Sequence, residues 1–318
     1  MRAVVYDTYG SPNVLGVDDV PVPTPAADQV LIEVVATSLN LTDWEGLRGS
    51  PLYARIGGLR SPARQILGSD IAGRVVAVGA KVTRFQPGDE VYGDNLQLKG
   101  GFAEFAVAPE SALAAKPPEL TFAQASTIPQ AGAIAIQGTA RAGPGRRVLI
   151  NGAGGGTGTF AIQLVKRSGA HVTGVDNAEK LDFMRSLGVD DVIDYRSEDF
   201  TEREQPYDLI LDLVGHRSVL ACRRVLAPGG RYLWVGGRVR SLLRVLTVGT
   251  IAGRLTGRRM GLLAVKDGPD HFGPLGEWCA AGEVDIHIDR TFALDDVPEA
   301  LAYLGEGHVL GKVVVEIS

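Results

Sequence analysis

The segment Asn151-Gly152-Ala153-Gly154-Gly155-Gly156-Thr157-Gly158 lies between an apolar run, RRVLI, and the stretch GTFAIQLVKRSG, whose apolar residues recur at helical spacing. Residues this small let a chain turn sharply and bring its backbone N–H groups against an anion. Ala153, Gly155 and Gly158 fill the three small positions of a dinucleotide fingerprint, and a helix starting there adds the partial positive charge of its N-terminus. The chemistry that fits is capture of a pyrophosphate, with Gly154, Gly156 and Thr157 as further contacts. Asp176 closes the next apolar run, AHVTGVD. An acid there accepts hydrogen bonds from the ribose hydroxyls of NAD and repels a 2′-phosphate. Lys180, one helical turn on, could pair with that phosphate. Asp176 also reads as a helix N-cap and Lys180 as part of a solvated helix face, so charge alone leaves NAD and NADP both open.

Around this loop RRVLING, AHVTGVD, DDVIDY, YDLILDLVG and RYLWVGG read as strands, and GTGTFAIQLVKRSG, AEKLDFMRSLG and SVLACRRVLAPGG as helices. Such alternation predicts βαβ units and a parallel sheet. Asp212 and Gly236 close two of these strands, at the edge where such sheets meet ligands. Up to about residue 115 the texture differs. RAVVYD, QVLIEVVAT, AGRVVAVG and FAEFAVAP are short strands rich in valine and alanine, and PGDEVYG is a turn feeding another. A small β-barrel or sandwich is expected there. TFAQASTIPQAGAIAIQGTA is helical in spacing and opens the second region. The tail carries a helix in DDVPEALAYLGEG and a strand in GKVVVEI, and is expected to return to the first domain. The fold class is α/β, with residues 1–118 and 266–318 as one domain and 119–265 as the other.

Bulk composition bounds the function. Apolar residues at 45% and charged residues at 22% describe a soluble globular chain. A net charge of -5 gives no basic footprint for nucleic acid. Cys222 and Cys279 are too few for a disulfide framework or a four-thiolate zinc site. No apolar run is long enough to span a bilayer, and MRAVVYDTYG lacks the apolar core of a signal peptide, so a cytoplasmic enzyme is expected. Residues 238–260, RVRSLLRVLTVGTIAGRLTGRRM, hold six arginines and no acid. They read as a helical cover or subunit contact, with an approach path for an acidic substrate or a membrane surface as alternatives. Tyr53, in SPLYARIGG, could give a proton to an enolate or be an ordinary loop aromatic. Asp43 reads as a helix cap and Trp44 as core.

The stretches VVATSLNLTDWEGLRG, ILGSDIAGRVVAVG, VTRFQPGDEVYG, GGFAEFAVAP, RRVLINGAGGGTG, FMRSLGVDDVIDY and GHVLGKVVV, in this order, resemble the zinc-free quinone oxidoreductase (zeta-crystallin-like) branch of the medium-chain dehydrogenase/reductase superfamily, over essentially the whole chain. The resemblance implies a GroES-like β-barrel domain, a Rossmann domain with a doubly wound parallel sheet, an active site in the interdomain cleft, and a homodimer. It places Asn40 near the nicotinamide or a substrate oxygen, Lys180 and Tyr195 near the adenosine phosphate, and His308, Gly311 and Lys312 in a stretch closing over the cofactor; Gly236 joins the cofactor contacts. It favours NADP(H), with NAD(H) kept open by Asp176. Gln130 and Ile134 depart from the family's pattern in PQAGAIA.

In the zinc-dependent branch three segments supply Cys or His ligands. Here the first offers Asn40, the second Ser69, and the third, around IPQAGA, no cysteine, so no metal is expected. Without a Lewis acid, a quinone or conjugated enone is the better hydride acceptor, because the incoming charge spreads over several atoms. Reduction of a quinone or related conjugated carbonyl is the leading reading. The alternatives are enoyl reduction of a pathway intermediate and a low-turnover nucleotide-binding interaction protein.

Overall fold

The computed structural model describes residues 1–56, 58–237 and 239–317. The chain forms two compact units, Met1–Ala133 with Lys266–Ser318, and Ile134–Val265. The N-terminal part of the first unit contains β1 (Arg2–Val5), β2 (Gly16–Asp19), β3 (Gln29–Ser38), α1 (Leu41–Arg48), β4 (Asp70–Val78), β5 (Glu90–Asp94), β6 (Phe105–Pro109), β7 (Leu113–Ala115) and α2 (Phe122–Ser126). Helix α3 (Pro129–Thr139) runs across the boundary at Ala133. The first unit therefore extends past the expected division at 118, because α2 packs on β3, β4 and β5. TFAQASTIPQAGAIAIQGTA forms two helices rather than one, since the ring of Pro129 starts a new helix but cannot continue an old one.

The second unit alternates as predicted: β8 (Arg147–Asn151), α4 (Gly156–Arg167), β9 (His171–Asp176), α5 (Leu181–Ser186), β10 (Asp191–Asp194), β11 (Tyr207–Asp212), α6 (Val219–Arg224) and β12 (Leu226–Trp234). Next come α7 (Val239–Arg244), a π-helical turn at Val245–Gly249, α8 (Thr250–Leu255) and β13 (Arg259–Leu262). The strands pair in parallel in the order β10-β9-β8-β11-β12-β13. The order reverses between β8 and β11, which is where open sheets of this kind hold ligands. Helix α6 stops at Arg224, so Leu226–Gly230 of SVLACRRVLAPGG belongs to β12. Pro228 cannot continue a helix, and Leu226 pairs instead with Tyr207. Tyr207, Phe200 and Tyr232 are buried among Leu149, Val175 and Ile210; burying side chains of this size stabilises by about 1.5–3 kcal/mol each.

The return segment adds α9 (Pro269–Ala280), β14 (Ile288–Ala293), α10 (Val297–Glu306) and β15 (Lys312–Glu316). Strand β15 pairs antiparallel with the end of β3, so the tail rejoins the first domain's sheet, whose order is β14-β15-β3-β4-β5-β7 with β6 also on β3. One apolar cluster of this sheet contains Val30, Ile32, Ile71, Val75, Val91, Ala108 and Leu113. A second packs α10 through Val297, Ala300 and Leu301 with Val34, Leu47 and Val315. This register puts the ends of β3, β4 and β5 side by side: Ser38 opposes Asp70, and Asp70 opposes Asp94.

Candidate functional sites

In the second unit β8 ends at Asn151 and the chain turns at Gly152, whose φ of 89° suits glycine. The N–H groups of Gly152 and Ala153 bond to the carbonyl of Val175, tying the turn to β9. A Cβ on Gly158 would stand 2.3 Å from the Ala153 carbonyl oxygen, so only glycine lets α4 pack on the turn that feeds it. Helix α4 starts after Gly155, and the first-turn N–H groups at Gly156, Thr157 and Gly158 have no carbonyl within the helix to bond. Such a cradle of amides fits a diphosphate. Asn177 adds a buried Oδ1 with no hydrogen-bond partner among the described residues. These features fit a bound dinucleotide.

Asp176 and Lys180 meet each other. The Asp176 Oδ2 accepts the N–H of Gly154 at 3.0 Å and its Oδ1 the N–H of Asn177 at 2.9 Å, with Lys180 Nζ 3.6 Å from Oδ1. Both side chains are buried. The Gly154 N–H is thus given to a carboxylate, and the N-cap of the following 3-10 turn is Asn177, not Asp176. Tyr195 is exposed just past β10, and its N–H bonds to the Asp176 carbonyl. Arg196 lies over the Tyr195 ring at 5.6 Å, and Arg217 donates to the Tyr195 carbonyl while pairing with Asp199 at 3.0 Å. Asp212 orients backbone: its Oδ1 accepts from Asn151, Val214 and Gly215, and its Oδ2 from the Tyr232 hydroxyl. Gly236 follows β12, its carbonyl 2.5 Å from where a Cβ on Gly215 would be.

In the first unit Asn40 caps α1 and sits at the centre of a buried polar cluster. Its Oδ1 accepts from Lys312 Nζ at 2.7 Å, and its Nδ2 donates to Asp70 Oδ2 at 2.8 Å and Ser69 Oγ at 3.3 Å. Lys312 also donates to the Leu39 carbonyl at 3.1 Å and stands 3.5 Å from Asp70 Oδ2. The Asp70 carboxylate further accepts from Ser38 Oγ and from the N–H of Gln130. Burial pushes the Asp70 carboxyl up and the Lys312 ammonium down from their ordinary ranges, and their mutual attraction opposes both shifts. Gln130 Nε2 approaches Ser69 Oγ at 3.5 Å, and Gln130 Oε1 accepts from Thr42. Asn40 and Gln130 therefore converge on the Ser69 hydroxyl.

Asp43 accepts the Asn40 and Gly68 N–H groups, as a cap should, and Trp44 packs against the core around α10. Tyr53 donates to both oxygens of Glu45, at 3.0 and 3.2 Å. His308 is exposed, and Gly311 has a φ of 85° with the His287 carbonyl too close for a Cβ. Of residues 238–260, Arg238 lies outside those described; Leu243, Leu246, Val248 and Ile251 are exposed beside Arg240 and Arg244. Sequence reasoning missed Asp70, Asp94 and the ammonium of Lys99, which bonds to the Thr42 carbonyl from a residue with a φ of 57°. Only strand register brings the first two together.

Residues 26–118 match the alcohol dehydrogenase GroES-like domain and residues 187–315 the family described as zinc-binding dehydrogenase. The chloroplastic quinone-oxidoreductase QR1 of Triphysaria versicolor is 34% identical over 99% of this chain and 98% of its own. The chloroplastic NADPH-dependent alkenal/one oxidoreductase of Arabidopsis thaliana is 32% identical over 99% of this chain and 79% of its own. The quinone oxidoreductase structure from Coxiella burnetii superposes with a TM-score of 0.90 at 30% identity, covering 100% of this chain and 99% of that one. Zinc does not fit the cluster at Asn40. Amide and hydroxyl are poor zinc ligands, and the Lys312 ammonium already occupies the Asn40 oxygen.

Proposed function

The chain belongs to the zinc-free quinone oxidoreductase branch of the medium-chain dehydrogenase/reductase superfamily and is an NAD(P)H-dependent oxidoreductase; from that premise we propose that it reduces a quinone or a related conjugated carbonyl and prefers NADPH. The nicotinamide cofactor, when bound, supplies the hydride. The residues that would hold its diphosphate are Gly155, Gly156, Thr157 and Gly158, on the first turn of α4. The acceptor class follows from the residues around Asn40: with a hydrogen-bonded amide cluster and no Lewis acid, the acceptor must spread the incoming charge itself.

The preference for NADPH rests on one observation, the pairing of Asp176 with Lys180 and two backbone N–H groups. A carboxylate so compensated repels a 2′-phosphate less than a free one. Arg196, over the ring of Tyr195, adds positive charge beside the residue whose N–H bonds to the Asp176 carbonyl. Gly311 and Lys312 enter this reading as supports of the tail strand, Gly311 packed on the His287 carbonyl and Lys312 through Asn40. Paired titrations of NADPH and NADH by protein fluorescence, with Asp176→Ser and Lys180→Ala, test it. Lys180→Ala should weaken NADPH more than NADH by about tenfold, the value of one charge-assisted contact. An equal effect on both coenzymes would refute the assignment.

A second copy of the chain is the partner this reading adds. Strand β13 ends the parallel sheet, and Leu262 on it is exposed together with Leu243, Leu246 and Ile251. An apolar patch beside an edge that is unpaired among the described residues is suited to self-association. Sedimentation of the wild type and of Leu246→Glu tests this, with a dimer expected for the first and a monomer for the second.

A further inference from the structure

Between Glu45 and Asp70 the chain carries Arg48, Arg55, Arg60 and Arg64 and no acid, in a protein whose net charge is -5. The same stretch exposes three aliphatic side chains: Leu52 at 65%, Ile56 at 84% and Leu59 at 69%. Single exposed aliphatics are ordinary, but a group of them among cations marks a contact surface. Arg48, Arg60 and Arg64 are themselves exposed. Two acids stand near them. Glu45 accepts from the Tyr53 hydroxyl, and Asp7 follows Tyr6, whose N–H bonds to the Gln65 carbonyl. The patch is therefore net positive.

The loop is tied together at its base. Leu52–Arg55 forms a 3-10 turn. The Arg55 guanidinium lies over the Tyr9 ring at 4.7 Å and donates to the Gly49 carbonyl at 2.8 Å and the Leu59 carbonyl at 3.3 Å. The Tyr9 hydroxyl donates to the Gly58 carbonyl at 2.5 Å. A Cβ on Gly58 would stand 2.2 Å from the Ser61 carbonyl oxygen, so glycine lets the chain fold back there. Tyr9 and Arg55 fix the loop, and its aliphatic side chains are left to solvent.

We propose that this loop docks the protein on an anionic lipid bilayer, with Leu52, Ile56 and Leu59 at the boundary of headgroups and acyl chains and Arg48, Arg60 and Arg64 among the lipid phosphates. The inference is independent of the acceptor and coenzyme proposed above. Such docking draws on both buried apolar area and attraction to anionic headgroups, and the loop supplies both. Guanidinium groups also bind phosphate in a two-pronged geometry. A protein partner suits the loop less. A stable protein interface buries about 800 Å² on each side, far more than three aliphatic side chains offer. A bilayer needs no matching shape, and a loop already fixed by Tyr9 and Arg55 loses little freedom on docking.

Co-sedimentation of the full chain with vesicles tests this. Vesicles of phosphatidylcholine mixed with phosphatidylglycerol should retain it, and phosphatidylcholine alone much less. Retention should decline as salt rises, because the attraction is screened. Each charge near such a surface is worth about a fivefold change in affinity, so Arg60→Glu combined with Arg64→Glu should weaken binding at least about 25-fold. Ile56→Ser should weaken it about tenfold. These side chains are exposed, so the melting temperatures should match the wild type. Ile56→Trp gives a readout that needs no loss of binding. Its added emission should be quenched by brominated acyl chains in the anionic vesicles, beyond the quenching of wild-type protein. Wild-type affinity in the double arginine variant, equal retention on phosphatidylcholine alone, or no added quenching in Ile56→Trp would each overturn the proposal. Retention lost only with Arg240→Glu and Arg244→Glu would move the lipid contact to α7 and overturn it equally.

Discussion

Replacing Lys312 with methionine tests whether the first unit depends on a buried cation. Lys312 is 3% exposed, and its ammonium has three partners: Asn40 Oδ1 at 2.7 Å, the Leu39 carbonyl at 3.1 Å and Asp70 Oδ2 at 3.5 Å. Methionine fills a similar volume, so the loss is electrostatic rather than a cavity. Removing one member of a buried ion pair costs about 3–5 kcal/mol, mostly because the remaining charge is stranded. Asp70 retains donors from Asn40, Ser38 and Gln130, which places the expected cost near the lower end, about 3 kcal/mol. Urea unfolding followed by tryptophan fluorescence measures it as a fall in the transition midpoint at unchanged slope. Adding Asp70→Asn removes the stranded charge, so the double variant should recover at least about half of the loss. A Lys312→Met protein within about 0.5 kcal/mol of wild type, or a double variant no better than the single one, would refute the argument.

Three further outcomes are expected. Gly158→Ala forces a Cβ against the Ala153 and Gly152 carbonyls, so dinucleotide affinity should fall at least about tenfold in a fluorescence titration. Asp212→Asn weakens a carboxylate that accepts from Asn151, Val214, Gly215 and Tyr232; urea unfolding should show a loss of about 1.5–3 kcal/mol, the range for hydrogen bonds to a charged group. The raised carboxyl of Asp94 stabilises the fold fully below its unfolded value of 3.8, and that stability is lost as pH rises through about 8. Urea midpoints of the wild type should therefore decline across that window relative to those of Asp94→Asn; parallel curves would show that Asp94 does not change its protonation on unfolding.

The glycine loop was legible because its function is local. Eight consecutive residues contain the turn, the close packing of Gly158 and the helix start, and the strands beside them are continuous apolar runs. Asp176 and Lys180 were both identified, but their spacing did not show that they would spend their charges on one another. Tyr53 reads from sequence as a proton donor or an ordinary loop aromatic, and its hydroxyl bonds to Glu45, a contact within one short stretch that spacing alone did not specify. The polar cluster is different in kind. Lys312 reaches Asn40 across a separation of 272 residues, and Asp94 meets Asp70 only through the register of β4 and β5. An antiparallel register shifted by one residue would turn Asp94 to the other face.

This distinction also explains how a chain can match a family described as zinc-binding while carrying residues unsuited to zinc. The match is carried by strands, turns and apolar faces, which many substitutions leave intact. A metal site is carried by three or four single side chains, and changing them need not disturb the sheet beneath. Here the sheet still brings residues 40, 69 and 130 together, but the groups delivered are an amide, a hydroxyl and an amide. The positive charge that such a cluster of carboxylates requires comes from Lys312 instead, through the strand that returns from the end of the chain. An ammonium bonded to Asn40 is a fixed charge with donors and no open coordination position. It opposes the upward push of burial on the Asp70 carboxyl and holds Asn40 in place, but it cannot polarise a carbonyl as a Lewis acid does. The chemistry proposed above for such a site is transfer of hydride to an acceptor that delocalises its own charge.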